Sequence, residues 1–178
     1  KDIKGVITGI VEDENIKDVN IFDMPKYFDL SQPFVLLIKR NFELKNGLSE
    51  DDQFETERGM ITKKYKRQLS LQNLDLEPNQ LLWDIGAGSG SCGIEAYSRY
   101  KVQTVFFEKN ETRIDFIKNN LSNHHIVDTK LYIGEACDFF DDCIQNPQRI
   151  FVGGGGEKVI NRLPYLYDRL EENGILLI

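Results

Sequence analysis

The chain of 178 residues is long enough for one complete domain, or for one domain with part of a second. Its 40% hydrophobic residues are sufficient for a core, and its net charge of −7 disfavours a nucleic-acid partner, because a duplex-binding protein needs a basic face. No apolar run approaches the ~18 residues of a membrane span, so we expect no membrane partner.

Residues 1–40 are predicted to be the tail of a separate unit. Two apolar runs, 5–10 and 34–38, have the composition of strands, and Asp23-Met24-Pro25 between them predicts a turn. Two short strands cannot form a core of their own, so this segment should pack on another unit. Residues 41–53, which include Asn46-Gly47 and an acidic run, are predicted to be a linker.

From residue 54 onward the sequence alternates between strand and helix patterns. Strands are predicted at 81–85, 102–107, 130–133, 149–152 and 175–178. Helices are predicted around 62–71, from 91, after the N-cap Asn110, around 135–143, and across 160–170. In the last of these, Ile160, Leu163, Tyr167 and Leu170 recur at helical spacing on one face, and Pro164 introduces a kink or a restart. Strands separated by helices predict an α/β fold with a parallel, doubly wound sheet.

The first strand of this region ends in a glycine-rich turn. Residues 84–90 read Asp-Ile-Gly-Ala-Gly-Ser-Gly, and a helix follows from Ser91. The glycines tolerate positive φ and let the backbone approach a ligand where a Cβ would clash. Glu108 follows the next strand, where its carboxylate can accept both hydroxyls of a ribose. Together, these two features predict a cofactor that contains a nucleoside.

Two cofactors compete for this turn. Gly88, Gly90 and Gly93 match the dinucleotide pattern G-x-G-x-x-G, with Glu108 at an acceptable distance along the chain. However, the predicted strand ends at residue 85, so the tight-turn glycine should be the one at 86, and Ser91 then occupies the place of the third glycine. The remaining pattern, D-x-G-x-G-x-G, is typical of class I S-adenosylmethionine-dependent methyltransferases. The register therefore favours S-adenosylmethionine over a nicotinamide dinucleotide.

The cysteines and histidines have structural interpretations that we prefer to functional ones. Cys92, Cys137 and Cys143 have no CxxC spacing, and no secretion signal is visible, so we expect reduced thiols and a cytoplasmic location. The chain begins with lysine, so we expect that an N-terminal piece is missing. Cys92 lies in the first turn of a predicted helix, where the helix dipole can lower a thiol pKa, but a small core-facing residue is the preferred interpretation. His124 and His125 are expected to form a surface pair at a helix end, and no metal site is predicted.

Three segments resemble one known family. They are residues 51–63 (DDQFETERGMITK), residues 82–91 with 94–96, and residues 150–156 (IFVGGGG). They are similar to the C15-methylating, decarboxylating domain of the precorrin-6Y C5,15-methyltransferases of cobalamin biosynthesis. Residues 1–40 resemble the end of the C5-methylating domain that is fused upstream in this family, and residues 54–178 the class I methyltransferase domain. The resemblance implies a Rossmann-like doubly wound sheet with two further strands, so that the domain is expected to be truncated after its fifth strand, and it implies a homo-oligomer, typically a tetramer.

The resemblance also implies an activity and a set of binding residues. The expected reaction is methyl transfer from S-adenosyl-L-methionine to C15 of a tetrapyrrole, a precorrin, with loss of CO₂ from the C12 acetate. Expected cofactor-binding residues are Thr62, Asp84, Gly86, Ala87, Gly88, Ser89, Gly90, Glu108, Glu135 and Ala136. The expected substrate-binding residues are Gly153, Gly154, Gly155 and Gly156, a run in which the family pattern would include a serine. No catalytic side chain is assigned.

Several alternatives remain open from the sequence. The same fold acting on RNA or protein, a dehydrogenase, and a fragment that binds cofactor without turnover are all compatible with the glycine turn. A basic cluster has two interpretations, as an attractive surface for a polycarboxylate substrate or as the solvated face of a helix. It comprises Arg58, Lys63, Lys64, Lys66 and Arg67.

Overall fold

The computed structural model describes residues 4–8, 16–20, 35–38 and 49–178, and the chain divides into two compact units. The first unit spans Lys1–Leu44 and the second spans Lys45–Ile178. Across the described residues, no helix has the length and apolar character needed to cross a membrane.

The first unit contains a three-stranded antiparallel sheet in the order β2-β1-β3. Its strands are β1 (Lys4–Thr8), β2 (Ile16–Asn20) and β3 (Val35–Ile38). The central strand pairs Val6 with Asp18 on one side and with Leu37 on the other. The sequence predicted the first and last of these strands but not β2, whose five residues include only two apolar ones. The predicted turn at residues 23–25 lies outside the described residues.

The second unit has a five-stranded parallel sheet in the order β6-β5-β4-β7-β8. All five predicted strands are present, and α-helices separate them except between β6 and β7. The elements are α1 (Lys64–Asn73), β4 (Leu81–Ile85), α2 (Ser91–Tyr100), β5 (Gln103–Glu108), α3 (Glu111–Asn123), β6 (Lys130–Ile133), β7 (Arg149–Val152), α4 (Gly156–Asn161), α5 (Leu163–Arg169) and β8 (Ile175–Leu177).

The sheet order places a ligand crevice at the end of β4. The chain proceeds from β4 to β5 and β6 on one side, and then crosses to β7 and β8 on the other. In open parallel sheets, ligands bind beyond the carboxyl ends of the strands at this reversal point. The glycine turn that follows Ile85 therefore lies where the fold itself favours a ligand.

Strand β4 is buried on both faces, which explains why all of its residues except Asp84 are apolar. Trp83 and Ile85 point into a cluster with Phe107 and Phe140 on one face of the sheet. Leu82 points into a second cluster on the opposite face, which includes Leu71 of α1, Cys92 and Ala96 of α2 and Phe151 of β7.

The predicted helix around 135–143 is wrong, because the structure has two short 3-10 turns there, Ala136–Asp138 and Phe140–Asp142. Consecutive aromatic rings both pack on the sheet in this segment. Phe139 contacts Tyr132 with ring centroids 5.2 Å apart, and Phe140 stacks on Trp83 at 5.8 Å. One face of a regular helix could not direct both rings at the sheet, because neighbouring side chains diverge by about 100°.

The predicted helical face across 160–170 is wrong for Ile160 and Tyr167, whereas Leu163 and Leu170 are partly buried against the core cluster. Pro164 marks a restart, since α4 ends at Asn161 and α5 begins at Leu163. This break resets the helical register, so that Val159 and Leu166 are the buried residues, whereas the predicted face residues Ile160 and Tyr167 are exposed.

The predicted linker over residues 41–53 needs a correction at its C-terminal end. The boundary between the two units falls after Leu44, inside the predicted linker. Residues 49–53, however, are ordered parts of the second unit. Ser49 donates its N–H to the Glu95 carboxylate at 3.1 Å, and Asp51–Gln53 forms a 3-10 turn.

Candidate functional site

The glycine loop between β4 and α2 depends on positive φ angles. Gly86, Gly88 and Gly90 have φ of 71°, 62° and 76°. The loop is held to the neighbouring strand, because the N–H groups of Gly86 and Ala87 both donate to the carbonyl of Phe107, at 2.9 and 3.0 Å. Since β4 ends at Ile85, the register that favoured the D-x-G-x-G-x-G interpretation is the observed one.

A second glycine loop, after β7, passes directly against the first. A Cβ built on Gly86 would lie 2.7 Å from the Cα and carbonyl carbon of Gly154. Gly153 donates its N–H to the carbonyl of Ile85 at 2.9 Å, which fixes the start of this second loop. The sequence did not reveal this contact, because the two loops are far apart along the chain. Glycine on both sides allows the two backbones to approach at the reversal point of the sheet.

Asp84 is buried behind the glycine loop. Its Oδ2 accepts the N–H of Gly93 at 2.9 Å, whereas Oδ1 has no hydrogen-bond partner among the described residues. Burial raises the pKa of Asp84 to about 7, because the ionised carboxylate loses its hydration there. An unpartnered buried oxygen of this kind calls for a donor that a bound ligand or water can supply.

Glu108 lies at the end of β5 and ties the strand to the loop. Its Oε2 accepts the N–H of Gly88 at 2.8 Å, and its Oε1 accepts the N–H groups of Lys109 and Asn110, both at 2.9 Å. An ionised carboxylate has about four acceptor positions, so three are already in use. Simultaneous contact with both hydroxyls of a ribose would therefore require one of these bonds to be shared or replaced.

A cavity of about 110 Å³ lies at the carboxyl ends of β4, β5, β6 and β7. It brings together seven of the predicted binding residues, namely Gly86, Glu108, Glu135, Ala136, Gly153, Gly154 and Gly155. It also has lining residues that the sequence interpretation missed, namely Phe107, Lys109, Arg113 and Gly134. Lys109 directly follows Glu108, the last residue of β5, but no sequence pattern marked this lysine as part of a site.

The other predicted binding residues are not among the described residues that line this cavity. They are Thr62, Asp84, Ala87, Gly88, Ser89, Gly90 and Gly156. Four of them, Ala87, Gly88, Ser89 and Gly90, belong to the glycine loop between β4 and α2. Thr62 lies two residues before α1, where its hydroxyl interacts with the thiol of Cys92 and its carbonyl accepts a hydrogen bond from Arg67.

Glu135 lies between two lysines at the edge of the cavity. Its Oε1 is 2.8 Å from Nζ of Lys109 and 3.8 Å from Nζ of Lys158. The hydrogen bond from Lys109 holds the pKa of the Glu135 carboxyl below its usual range. The ionised carboxylate thus connects the loop after β6 to the start of α3 and to α4.

The predicted basic cluster is divided by the fold. Arg67 is fully buried, with Nε 2.5 Å from Oε2 of Glu95 and Nη1 3.1 Å from Oδ1 of Asp51. It also donates to the carbonyls of Ser49 and Thr62, both at 2.6 Å. Both interpretations of the cluster, as an attractive surface and as the solvated face of a helix, are therefore wrong for Arg67. The residue instead fastens the segment before α1 to α2.

The preferred interpretation of Cys92 is confirmed, because the side chain is buried against α1 and β4. Burial raises the pKa of its thiol to about 12, so the position at a helix N-terminus does not activate it. His124 caps the C-terminus of α3 and stacks on Phe54 with ring centroids 4.8 Å apart. Within the described residues, no group of three or more His, Cys, Asp or Glu side chains is placed to hold a metal ion.

Comparison with known proteins identifies the second unit. A model of the precorrin methyltransferase domain matches residues 52–178. The chain belongs to this family. A precorrin-6Y C(5,15)-methyltransferase (decarboxylating) of Mycobacterium tuberculosis is 34% identical over 129 residues, which are 71% of this chain and 32% of that protein. A probable cobalt-precorrin-6B C(15)-methyltransferase (decarboxylating) of Methanococcus maripaludis is 30% identical over 111 residues, 60% of this chain and 58% of that protein.

Solved structures agree with the family assignment and show the fold. The precorrin-6Y C5,15-methyltransferase of Geobacter metallireducens has a TM-score of 0.68 and 32% identity, and the match covers 72% of this chain and 69% of that one. A methyltransferase of Thiobacillus denitrificans in complex with S-adenosyl-L-homocysteine has a TM-score of 0.53 at 17% identity, covering 64% and 47% of the two chains. The second unit therefore has the class I S-adenosylmethionine-dependent methyltransferase fold. The chain spans only part of the curated relatives it matches, 32% of the Mycobacterium protein and 58% of the Methanococcus protein.

Proposed function

We propose that this protein transfers a methyl group from S-adenosyl-L-methionine to C15 of a precorrin and promotes loss of CO₂ from the C12 acetate. The observation that carries this proposal is the cavity at the reversal point of the sheet. Its lining residues all lie inside the 52–178 span that matches the precorrin methyltransferase family. Relatives are named for both precorrin and cobalt-precorrin substrates, so the proposal covers the macrocycle and leaves its metal content open.

The residues around the cavity fit S-adenosyl-L-methionine. Glu108 has one acceptor position left for a ribose hydroxyl. Ala136 and Glu135 line the same cavity, and we expect them to contact the adenine edge. The unpartnered Oδ1 of Asp84 suits the ammonium group of the methionine moiety, through a bridging water or after a small shift of the loop. The cofactor supplies an electrophilic methyl group on a sulfonium centre. The chain itself would bind it with the glycine loop and keep it in place.

The substrate would lie against the second glycine loop, residues 153–156. This loop has no acid or base, so its contribution would be backbone N–H groups directed at a flat ligand or at its carboxylates. A carbon nucleophile in an electron-rich conjugated ring needs little help from a base. The chain's main task is then to hold carbon and methyl group in line at reacting distance. Exclusion of water from the acetate carboxylate would favour decarboxylation.

The proposal extends to domain identity and assembly. We propose that residues 1–40 are the C-terminal remnant of a tetrapyrrole C5-methylase domain and that residues 54–178 form the C15-methylating domain. We also propose a homo-oligomer, with a tetramer as the expected form, and a cytoplasmic location. Sedimentation of the purified chain would test the oligomer, and a monomer at micromolar concentration would contradict it.

Calorimetric titration with S-adenosylhomocysteine tests the cofactor assignment, with NADH as the control ligand. We expect binding of the homocysteine compound to the unmodified protein and loss of that binding in Glu108→Ala. Glu111→Ala is the matched control, because Glu111 is an exposed carboxylate three residues away that does not line the cavity. Binding of NADH alone would replace the proposal with a dehydrogenase.

A precorrin assay tests the reaction itself. Mass spectrometry of the product should show the gain of one methyl group together with the loss of CO₂. Cofactor binding without either change, using a full-length relative as positive control, would contradict the proposed activity of this chain while leaving the cofactor assignment intact.

A further inference from the structure

Asn120 of α3 connects two segments that are far from it in sequence. Its side chain is fully buried, and it makes three hydrogen bonds to backbone groups. Oδ1 accepts the N–H of Glu55 at 2.7 Å, and Nδ2 donates to the carbonyl of Glu55 at 2.9 Å. Nδ2 also donates to the carbonyl of Ser89 at 2.9 Å. One amide therefore joins the segment before α1 to the glycine loop.

The chemistry of these partners requires an amide at this position. Both hydrogens of Nδ2 are used by carbonyl oxygens, and the amide oxygen faces an N–H group. A carboxylate at the same place would keep the bond to the Glu55 N–H but would face two carbonyl oxygens with no hydrogen to offer. Asparagine is thus distinguished from aspartate by the two hydrogens of Nδ2, since the two side chains have nearly the same shape.

The bond to Ser89 fixes the last part of the glycine loop. The peptide group between Ser89 and Gly90 is held at both of its polar ends, because its carbonyl accepts from Asn120 and its N–H donates to the carbonyl of Ala87 at 2.8 Å. The orientation of this peptide group sets the direction in which the loop enters α2. Asn120 thereby influences the cofactor loop without lining the cavity.

The bonds to Glu55 fix the other segment, residues 54–63. Its first residue, Phe54, is buried and stacks on His124 at the end of the same helix. Two residues after Glu55, the carboxylate of Glu57 lies 3.1 Å from Nε of Arg113, which lines the cavity. Segment 54–63 is therefore held beside the cavity by three residues of α3, namely Arg113, Asn119 and Asn120, of which Asn120 is the fully buried one.

We propose that Asn120 is a positioning residue that couples the docking of segment 54–63 to the shape of the glycine loop. Cofactor binding then favours the docked segment, and the docked segment strengthens cofactor binding by the same factor. The inference rests on the proposed function, since it takes the glycine loop to be the S-adenosylmethionine site. It assigns a role to a residue that no sequence pattern marked.

The test compares two asparagine-to-aspartate substitutions on adjacent residues of α3. Asn120→Asp removes both donated hydrogen bonds, whereas Asn119→Asp changes an exposed side chain that, among the described residues, donates to the Glu55 carboxylate at 2.8 Å. We expect affinity for S-adenosylhomocysteine to fall about tenfold or more in Asn120→Asp, from the loss of one or two buried hydrogen bonds. The control should stay within about twofold, the range expected for an exposed contact. In turnover assays, KM for S-adenosylmethionine should rise far more than kcat falls.

Hydrogen exchange distinguishes coupling from simple destabilisation, and Asn120→Ala provides a variant without a buried charge. In the unmodified protein, saturating S-adenosylhomocysteine should slow exchange of the amides of residues 56–62. In Asn120→Ala, we expect that response to disappear while Trp83 fluorescence still reports a folded second unit. Equal ligand affinity in the two aspartate variants, or an undiminished exchange response in Asn120→Ala, would overturn the inference. Absence of binding by the unmodified protein would instead overturn the proposed function, and the inference with it.

Discussion

The contact between the two glycine loops predicts that Gly86→Ala is much more damaging than Gly88→Ala. Both residues have positive φ, 71° and 62°, so an alanine at either position costs about 1 to 2 kcal/mol in backbone conformation. Only Gly86 has a neighbour in the way. Its added Cβ would lie 2.7 Å from backbone atoms of Gly154, whereas ordinary van der Waals contacts begin at 3.4 Å. A Cβ on Gly88 would meet no described atom within 4 Å.

The obstruction at Gly86 consists of backbone, which cannot turn away as a flexible side chain can. Forcing an additional carbon into such a site typically costs about 1 to 3 kcal/mol, so Gly86→Ala should lower the free energy of unfolding by about 2 to 5 kcal/mol in total. Gly88→Ala is the matched control and should lose only the backbone part. The difference between the variants isolates the contact between the loops.

Urea unfolding measures this difference through the fluorescence of Trp83, the only tryptophan of the chain, which is fully buried in the second unit. Titration with S-adenosylhomocysteine should be run on the same samples, since a displaced Gly154 would also distort the cavity. Equal destabilisation by the two substitutions would refute the reasoning, because it would show that the close approach of the loops does not constrain the fold.

Three further predictions concern buried charged or polar groups. The pKa of Asp84 is about 7, against 3.8 when unperturbed, so between these values the folded state keeps a proton that the unfolded state loses. The free energy of unfolding should therefore fall between about pH 4 and pH 7, by at most about 4 kcal/mol. Urea titrations of Asp84→Asn across that range should show a flatter dependence on pH. Arg67→Ala removes the fully buried partner of the Glu95 carboxylate and should lower the free energy of unfolding by about 3 to 5 kcal/mol. Arg99→Ala removes a part-exposed partner of the same carboxylate at 3.7 Å and should cost less than about 1 kcal/mol, so similar losses from both variants would contradict a larger contribution of the buried pair. Cys92 should resist alkylation at pH 8 in the folded protein, because its thiol is buried and its pKa is about 12, and mass spectrometry that found it labelled as fast as in urea would contradict the described packing.

The strands and the cofactor loop were predictable because their signals are local. Four of the five residues of strand β4 are apolar, and a turn with glycines at 86, 88 and 90 follows directly after it. The position of Glu108 at the end of the next strand follows from the same alternation. Since parallel strands end at one edge of a sheet, this pattern was enough to bring Gly86 and Glu108 to a common cavity.

Local signals failed where tertiary packing set the conformation. The segment 135–143 has a helical composition, but Phe139 and Phe140 both have aromatic partners on the sheet, and these contacts hold the backbone in 3-10 turns. The face of the last helices was misplaced for a related reason. A proline restart shifts the register by an amount that depends on what each half packs against.

The sequence alone therefore determined the fold class, the strand order along the chain, the glycine loop and the family to which segment 52–178 belongs. Only the tertiary structure decided which charged and polar residues face the cavity and which hold it together. Arg67 looked like part of a basic surface and is a buried partner of Glu95, and Asn120 carried no signal although it joins segments 65 and 31 residues away. Such roles depend on which buried polar groups still need a hydrogen-bond partner once the chain has packed. Those groups are identified by distances in the folded structure, and the spacing of residues along the sequence does not give these distances.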